Sequence, residues 1–90
     1  MHSHEFVLRA EIETTELEQW VSEGWLLPSG EHEARAFTEI DLARACFIRD
    51  MRGIGVNDEG MPIVLDLVDQ IHALRRMLRL VSAGVRSEPN

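Results

Sequence analysis

Six apolar residues, Val64, Leu67, Ile71, Leu74, Leu78 and Val81, step through the last third of the chain at intervals of 3, 4, 3, 4 and 3. This is heptad spacing, which keeps one stripe of a helix turned toward a partner helix. It predicts a helix of roughly 20 residues, long for a chain of 90 that has room for one small domain. Leu65 and Val68 add a second stripe to its N-terminal half. One helix cannot bury two stripes against so small a body. The simplest resolution is a two-fold homodimer in which the Val64–Val81 seam packs against the same seam of a second chain. The alternative is a seam that covers the preceding helices of its own chain.

Three shorter helices are expected before it. Ser3 offers a cap for the first, which runs to Ala10 with Phe6, Arg9 and Ala10 at i, i+3, i+4. The second begins near Thr14 or Thr15, where Thr15 and Glu18 have capping-box spacing. Leu17, Trp20 and Val21 form its stripe, Gly24 is its left-handed C′ residue, and Pro28 blocks continuation. Residues 28–37 form a polar connector, open as a loop or a short two-stranded wing. The third helix starts at Thr38, with Asp41 three residues on, and Ile40, Ala43, Phe47 and Met51 line one face. Gly53 and Gly55 end it. Asn57, Asp58 and Glu59 offer cap residues and first-turn acids for the long helix, Pro62 fits its opening turn, and Gly84 is the expected C-cap. The chain therefore reads as all-α: one helical domain over residues 3–82 and a frayed tail over 83–90.

Charge narrows the function. The chain holds sixteen acids and nine bases, all of them Arg, for a formal net charge of -7. Residues 1–41 carry ten acids against Arg9 and Arg35; residues 42–90 carry seven Arg against six acids. Nucleic-acid modules and readers of anionic lipid carry a basic excess instead. No apolar run approaches the roughly 20 residues of a membrane span, and Met1 to Glu5 has no signal-peptide character. The single cysteine, Cys46, sits in an apolar run and reads as a buried small hydrophobe. A cytoplasmic protein is expected.

Little points to chemistry. His2 and His4 lie in an expected tail, His32 lies in the connector between Glu31 and Glu33, and His72 follows Asp69 on the long helix. None comes with the further ligands a metal site needs, so no metal and no cofactor is expected. No nucleophile is placed beside a base. Asp66 and Asp69 share a helix face, a spacing open to acid–base work but far commoner on a solvated or partner-facing surface. The expectation is a non-enzymatic protein.

The order of elements resembles a known family. Leu17-Glu18-Gln19-Trp20-Val21-Ser22-Glu23-Gly24-Trp25-Leu26-Leu27-Pro28 is similar to the end of the helix-turn-helix of MerR-type regulators: an aliphatic, an Arg, two aromatics, a Glu, two variable residues, then Gly-Leu-Leu and a Pro. Phe37, Asp41-Leu42 and Gly55-Val56 fall where that family has its wing, third helix and following turn. Residues Gly60 to Ile71 resemble the Gly-Ile-x-Val-x-Leu-x-Leu-Met-Asp-x-Ile motif of the chaperone-modulator (CbpM) branch, and Glu5-Phe6 and Ile12 also align. The resemblance covers about Ser3 to Ser82. It implies a MerR-like winged helix-turn-helix whose long C-terminal helix dimerises through Val64, Leu67, Ile71, Leu74, Leu78 and Val81.

One departure matters. Glu18 stands where a DNA-reading relative carries Arg, and Glu13, Glu16 and Glu23 surround it. Bringing that helix to DNA adds repulsion where binding needs counterion release. The branch resemblance implies instead a modulator that binds the J-domain of a CbpA/DnaJ-like co-chaperone and inhibits it. The basic J-domain helix would meet an acidic surface: Asp66, Asp69 and His72 first, then Glu11, Glu16 and Glu18. The competing reading is a MerR-like transcriptional regulator contacting DNA through Arg35, Arg44, Arg49 and Arg52. A third is an interaction module for some other basic partner.

Overall fold

A computed structural model describes residues 1–87, with all their side chains except those at 33 and 85–87. Four α-helices form: α1 (Ser3–Ala10), α2 (Thr14–Ser22), α3 (Glu39–Gly53) and α4 (Met61–Ser87), with a 3-10 turn at His32–Ala34. Among the described residues there is no β-strand, so the all-α expectation holds. The chain divides into two compact units, Met1–Asp58 and Glu59–Asn90.

The first unit is built around aromatic residues. Phe6 and Ala10 of α1, Leu17 and Trp20 of α2, Trp25 and Leu26 of the following turn, Phe37, and Ala45 and Ile48 of α3 are all buried. The rings of Phe6 and Phe37 stack with centroids 4.1 Å apart. Each of the larger aliphatic and Phe side chains contributes about 1.5–3 kcal/mol by leaving water, and a stacked pair adds about 1 kcal/mol. The α3 face differs from expectation. Ala45 and Ile48 are buried, Phe47 and Met51 are half-buried, and Ile40 and Ala43 are exposed. The helix carries two apolar stripes about one residue apart, and periodicity alone does not say which turns inward.

Helix ends explain the turns. α2 begins at Thr14, as expected, but its capping box lies two residues before the Thr15–Glu18 spacing: Glu13 is the N-cap and pairs with Glu16, whose Oε1 accepts from the Glu13 N–H at 2.9 Å. Glu18 is thereby left for another partner. The end of α2 is a Schellman motif. The Trp25 N–H donates to Trp20 O (2.9 Å), the Gly24 N–H donates to Val21 O (3.1 Å), and Gly24 has φ +79°. α3 opens as expected: the Asp41 N–H donates to Thr38 Oγ1 (3.1 Å) and the Thr38 N–H to Asp41 Oδ2 (2.8 Å). α1 is capped by the backbone of His2 and not by the Ser3 side chain. It ends at Glu11, which sits in the left-handed region at φ +58°.

The connector is a minimal wing. Ser29 and Ala36 exchange two backbone hydrogen bonds in a single antiparallel bridge. Gly30 is required inside it: φ is +77°, and a Cβ there would lie 2.5 Å from Ala34 O. Met1 and Phe37 likewise exchange two backbone hydrogen bonds, of 2.6 and 2.7 Å. His2 and His4 therefore belong to a fastened segment, not to the mobile tail that the sequence suggested.

The second unit is α4. Its first turn is anchored by Gly60 O, which accepts from the Ile63 and Val64 N–H groups, and Pro62 falls in that turn, where its missing N–H costs nothing. No acid lies in the first turn, contrary to expectation, because Asp58 and Glu59 precede the helix. α4 runs through Gly84 instead of ending there, and residues 88–90 of the expected tail lie outside the described residues. Met61 and Leu65 are buried. The seam is not: Leu67, Ile71, Leu74, Leu78 and Val81 are 47–66% exposed, and Val64 is half-buried.

Candidate functional site

In the first unit twelve acids face five Arg, and every one of those Arg is engaged within the unit. Arg9 makes a two-pronged contact with Glu39 (2.9 and 3.1 Å) and lies 3.6 Å from Glu5. Arg35 donates to Glu18 at 2.5 Å. Arg44 Nε donates to Trp25 O at 2.6 Å, fastening the turn after α2 to α3. Arg49 donates to Ala10 O (2.7 Å), the last carbonyl of α1, and also reaches Glu11 and Asp50. Arg52 pairs with Asp58, which also accepts from Gln19 at 3.0 Å and so links α2 to the end of α3. Hydrogen bonding to Glu39 holds the Arg9 guanidinium above its ordinary pKa, and hydrogen bonding to Asp50 does the same for Arg49. The four Arg that a DNA contact would need, Arg35, Arg44, Arg49 and Arg52, are thus all occupied by internal acceptors.

The predicted acidic residues fall into two sets. Glu11, Glu16 and Glu18 lie in the first unit with Arg49, the Glu13 backbone and Arg35 as partners. Each keeps acceptor capacity, since a carboxylate has about four lone-pair sites. Asp66, Asp69 and His72 follow one another three residues apart along α4, all exposed. Asp66 accepts from Gln70 at 2.8 Å. Among the described residues, Glu23 and Glu31 have no ion-pair partner.

Two surface depressions flank the Glu18–Arg35 pair, and neither was legible in the sequence. One, of about 520 Å³, brings His2, Ser3 and His4 of the α1 start together with Glu18, His32 and Arg35. Three histidines line it, yet no group of three His, Cys, Asp or Glu among the described residues could hold a metal ion. The other, of about 320 Å³, is lined by Val21, Leu26, Leu27 and Pro28 with Gly30, Glu31, His32 and Arg35. Leu27 stands 80% exposed at its edge. Cys46 is a half-buried free thiol.

The architecture of α1, a three-residue turn, α2, a minimal wing and α3 has a counterpart among known proteins. A family model described as "MerR HTH family regulatory protein" matches residues 1–82. The chain belongs to this MerR helix-turn-helix family. No curated protein and no solved structure matches it. In this MerR-family chain α1 and α2, joined by a three-residue turn, form the helix-turn-helix. No helix among the described residues is long and apolar enough to cross a membrane.

Proposed function

We propose that this MerR-family protein is a non-enzymatic, cytoplasmic modulator of the chaperone-modulator (CbpM) type, one that binds the J-domain of a CbpA/DnaJ-like co-chaperone and blocks its access to a DnaK-type chaperone. The observation that carries this reading is the electrostatics of α2. The helix has no base, holds Glu18 where DNA-reading relatives hold Arg, and lies in a unit whose Arg are all engaged by internal acceptors. DNA binding rests on cations released to phosphates, and this surface offers carboxylates instead. A basic partner helix is the complementary ligand. Asp66, Asp69 and His72, followed by Glu11, Glu16 and Glu18, make up the contact surface in this reading. No cofactor or metal takes part. Two copies pair through Val64, Leu67, Ile71, Leu74, Leu78 and Val81, whose exposure along α4 supports such a seam.

The second reading is a DNA-binding transcriptional regulator, favoured by the family match itself. Titration of the protein with a purified J-domain and, separately, with duplex DNA distinguishes the two. Salt-sensitive J-domain binding with no duplex shift at low salt supports the modulator. A duplex complex with a steep salt slope, and no J-domain complex, overturns it.

A further inference from the structure

We infer that the groove between the end of α2 and the wing, lined by Val21, Leu26, Leu27 and Pro28, is the seat for an aliphatic side chain carried on a basic peptide segment of the partner. The inference deepens the proposed function and rests on it for the identity of that partner, but the chemistry of the groove stands by itself.

Three features converge there. The groove is concave, about 320 Å³, and its apolar lining comes from consecutive and neighbouring residues whose backbone is fixed by the Schellman turn at Gly24 and by the Ser29–Ala36 bridge. Such a preorganised pocket loses little entropy on binding. Leu27 is the second feature. It is 80% exposed although Leu26 beside it is fully buried, so one leucine of the pair closes the core and the other is presented to solvent at the groove's edge.

Charge is the third. From Ala10 to Ala34 the chain has seven acids and no Arg or Lys. Among the described residues the only lining cation that is charged at neutral pH by its nature is Arg35, and Glu18 holds it at 2.5 Å. Glu31 lines the groove and Glu23 is the C-cap of α2; both are exposed, and neither is in an ion pair among the described residues. A cleft whose lining is about half apolar, with the Glu31 carboxylate in its wall, selects a segment with an aliphatic anchor flanked by Arg or Lys. It rejects an acidic peptide or a phosphate backbone. The anchor supplies most of the affinity, as buried side chains do at interface centres, while the acids raise the encounter rate and its salt sensitivity.

The test uses the full chain, a purified J-domain, and three synthetic helical peptides: one with Leu and Lys, one with the Leu replaced by Ser, and one with the Lys replaced by Glu. Binding is read by fluorescence anisotropy for the parent and for Leu27→Asp and Glu31→Lys. Leu27 and Glu31 are exposed, and unchanged circular dichroism confirms the fold of both variants. The Leu/Lys peptide is expected to bind the parent at least about tenfold more tightly than either control peptide. Leu27→Asp should remove that preference, and Glu31→Lys should weaken binding about threefold at low salt and less at high salt. The J-domain should lose about tenfold on Leu27→Asp. If the J-domain binds but Leu27→Asp leaves its affinity unchanged, the groove assignment fails while the proposed function stands. If the peptide binds in the groove and the J-domain does not bind, the function fails and the groove stands. Equal binding of the Leu and Ser peptides overturns the anchor. A self-association of the parent that Leu27→Asp abolishes shows that a second copy occupies the groove, and also overturns it.

Discussion

Arg35 of the wing reaches Glu18 of α2 at 2.5 Å, and the two side chains differ in exposure, 13% for Arg35 and 54% for Glu18. The guanidinium is the more enclosed partner, so the pair fastens the wing to the helix-turn-helix more than it decorates the surface. The helix supplies the carboxylate, and the wing's only Arg is consumed by it.

Removing that carboxylate should destabilise the fold by about as much as the strongest exposed ion pairs contribute. Glu18→Gln leaves the enclosed Arg35 without its partner and is expected to cost about 1 kcal/mol; an exposed pair typically contributes 0.2–1. Glu18→Arg, which sets two cations together, should cost about 2 kcal/mol. Urea unfolding followed by tryptophan fluorescence reads this directly, because Trp20 and Trp25 are both buried and the chain has no Tyr. Equal midpoints for parent and both variants would mean that the pair does not form in solution.

Two glycines separate backbone strain from steric clash. Gly24 and Gly30 both have positive φ, but a Cβ at Gly24 meets open space while one at Gly30 meets Ala34 O. Gly24→Ala should cost about 1–2 kcal/mol, the left-handed penalty alone. Gly30→Ala should cost about 1 kcal/mol more and disturb the wing locally. The same unfolding assay ranks them, and amide exchange at Ser29 and Ala36 should rise only in the second variant. The reverse ranking would show that the wing yields freely.

Local signals in the sequence translated well where the chemistry is short-range. Thr38 with Asp41, Gly24 after α2 and Pro62 in an opening turn each depend on residues a few positions apart, and each appears as expected. The α2 capping box was misplaced because two acid-rich spacings compete there, and Glu13–Glu16 wins over Thr15–Glu18. The Ile40–Met51 face lost to Ala45 and Ile48 because a helix with two stripes is oriented by its neighbours. The contacts that define the candidate site, Arg35 with Glu18 and Arg49 with Ala10, join residues 17 and 39 positions apart in sequence. No periodicity encodes such pairings.

The exposed seam of α4 makes a direct prediction about assembly. Ile71→Lys combined with Leu78→Lys puts two charges into the middle of a heptad stripe, where a helix pair has no water to solvate them. Light scattering should show the mass fall from that of a dimer to that of a single chain. Because both residues are already about half or more exposed within one chain, tryptophan fluorescence of the first unit should be unchanged. A parent protein that is monomeric at about 100 µM, where specific dimers with micromolar or tighter affinity are populated, would remove the seam from the proposed assembly.

The acid pair on α4 gives the sharpest charge test of the proposed partner. Asp66 and Asp69 are both exposed, so Asp66→Lys with Asp69→Lys changes the local charge by four without disturbing a core contact. Rim charges act mainly through association rate, and the Debye length is about 10 Å at 0.1 M salt. The double reversal should therefore lower J-domain affinity about tenfold at 50 mM salt, chiefly by slowing association, and by about threefold or less at 0.5 M. Stopped-flow or surface-immobilised kinetics would measure both rates. A loss that is equal at the two salts, or that falls entirely on dissociation, would point to a lost short-range contact. An affinity that is salt-independent in the parent and unchanged by the double reversal would end the electrostatic account of partner binding.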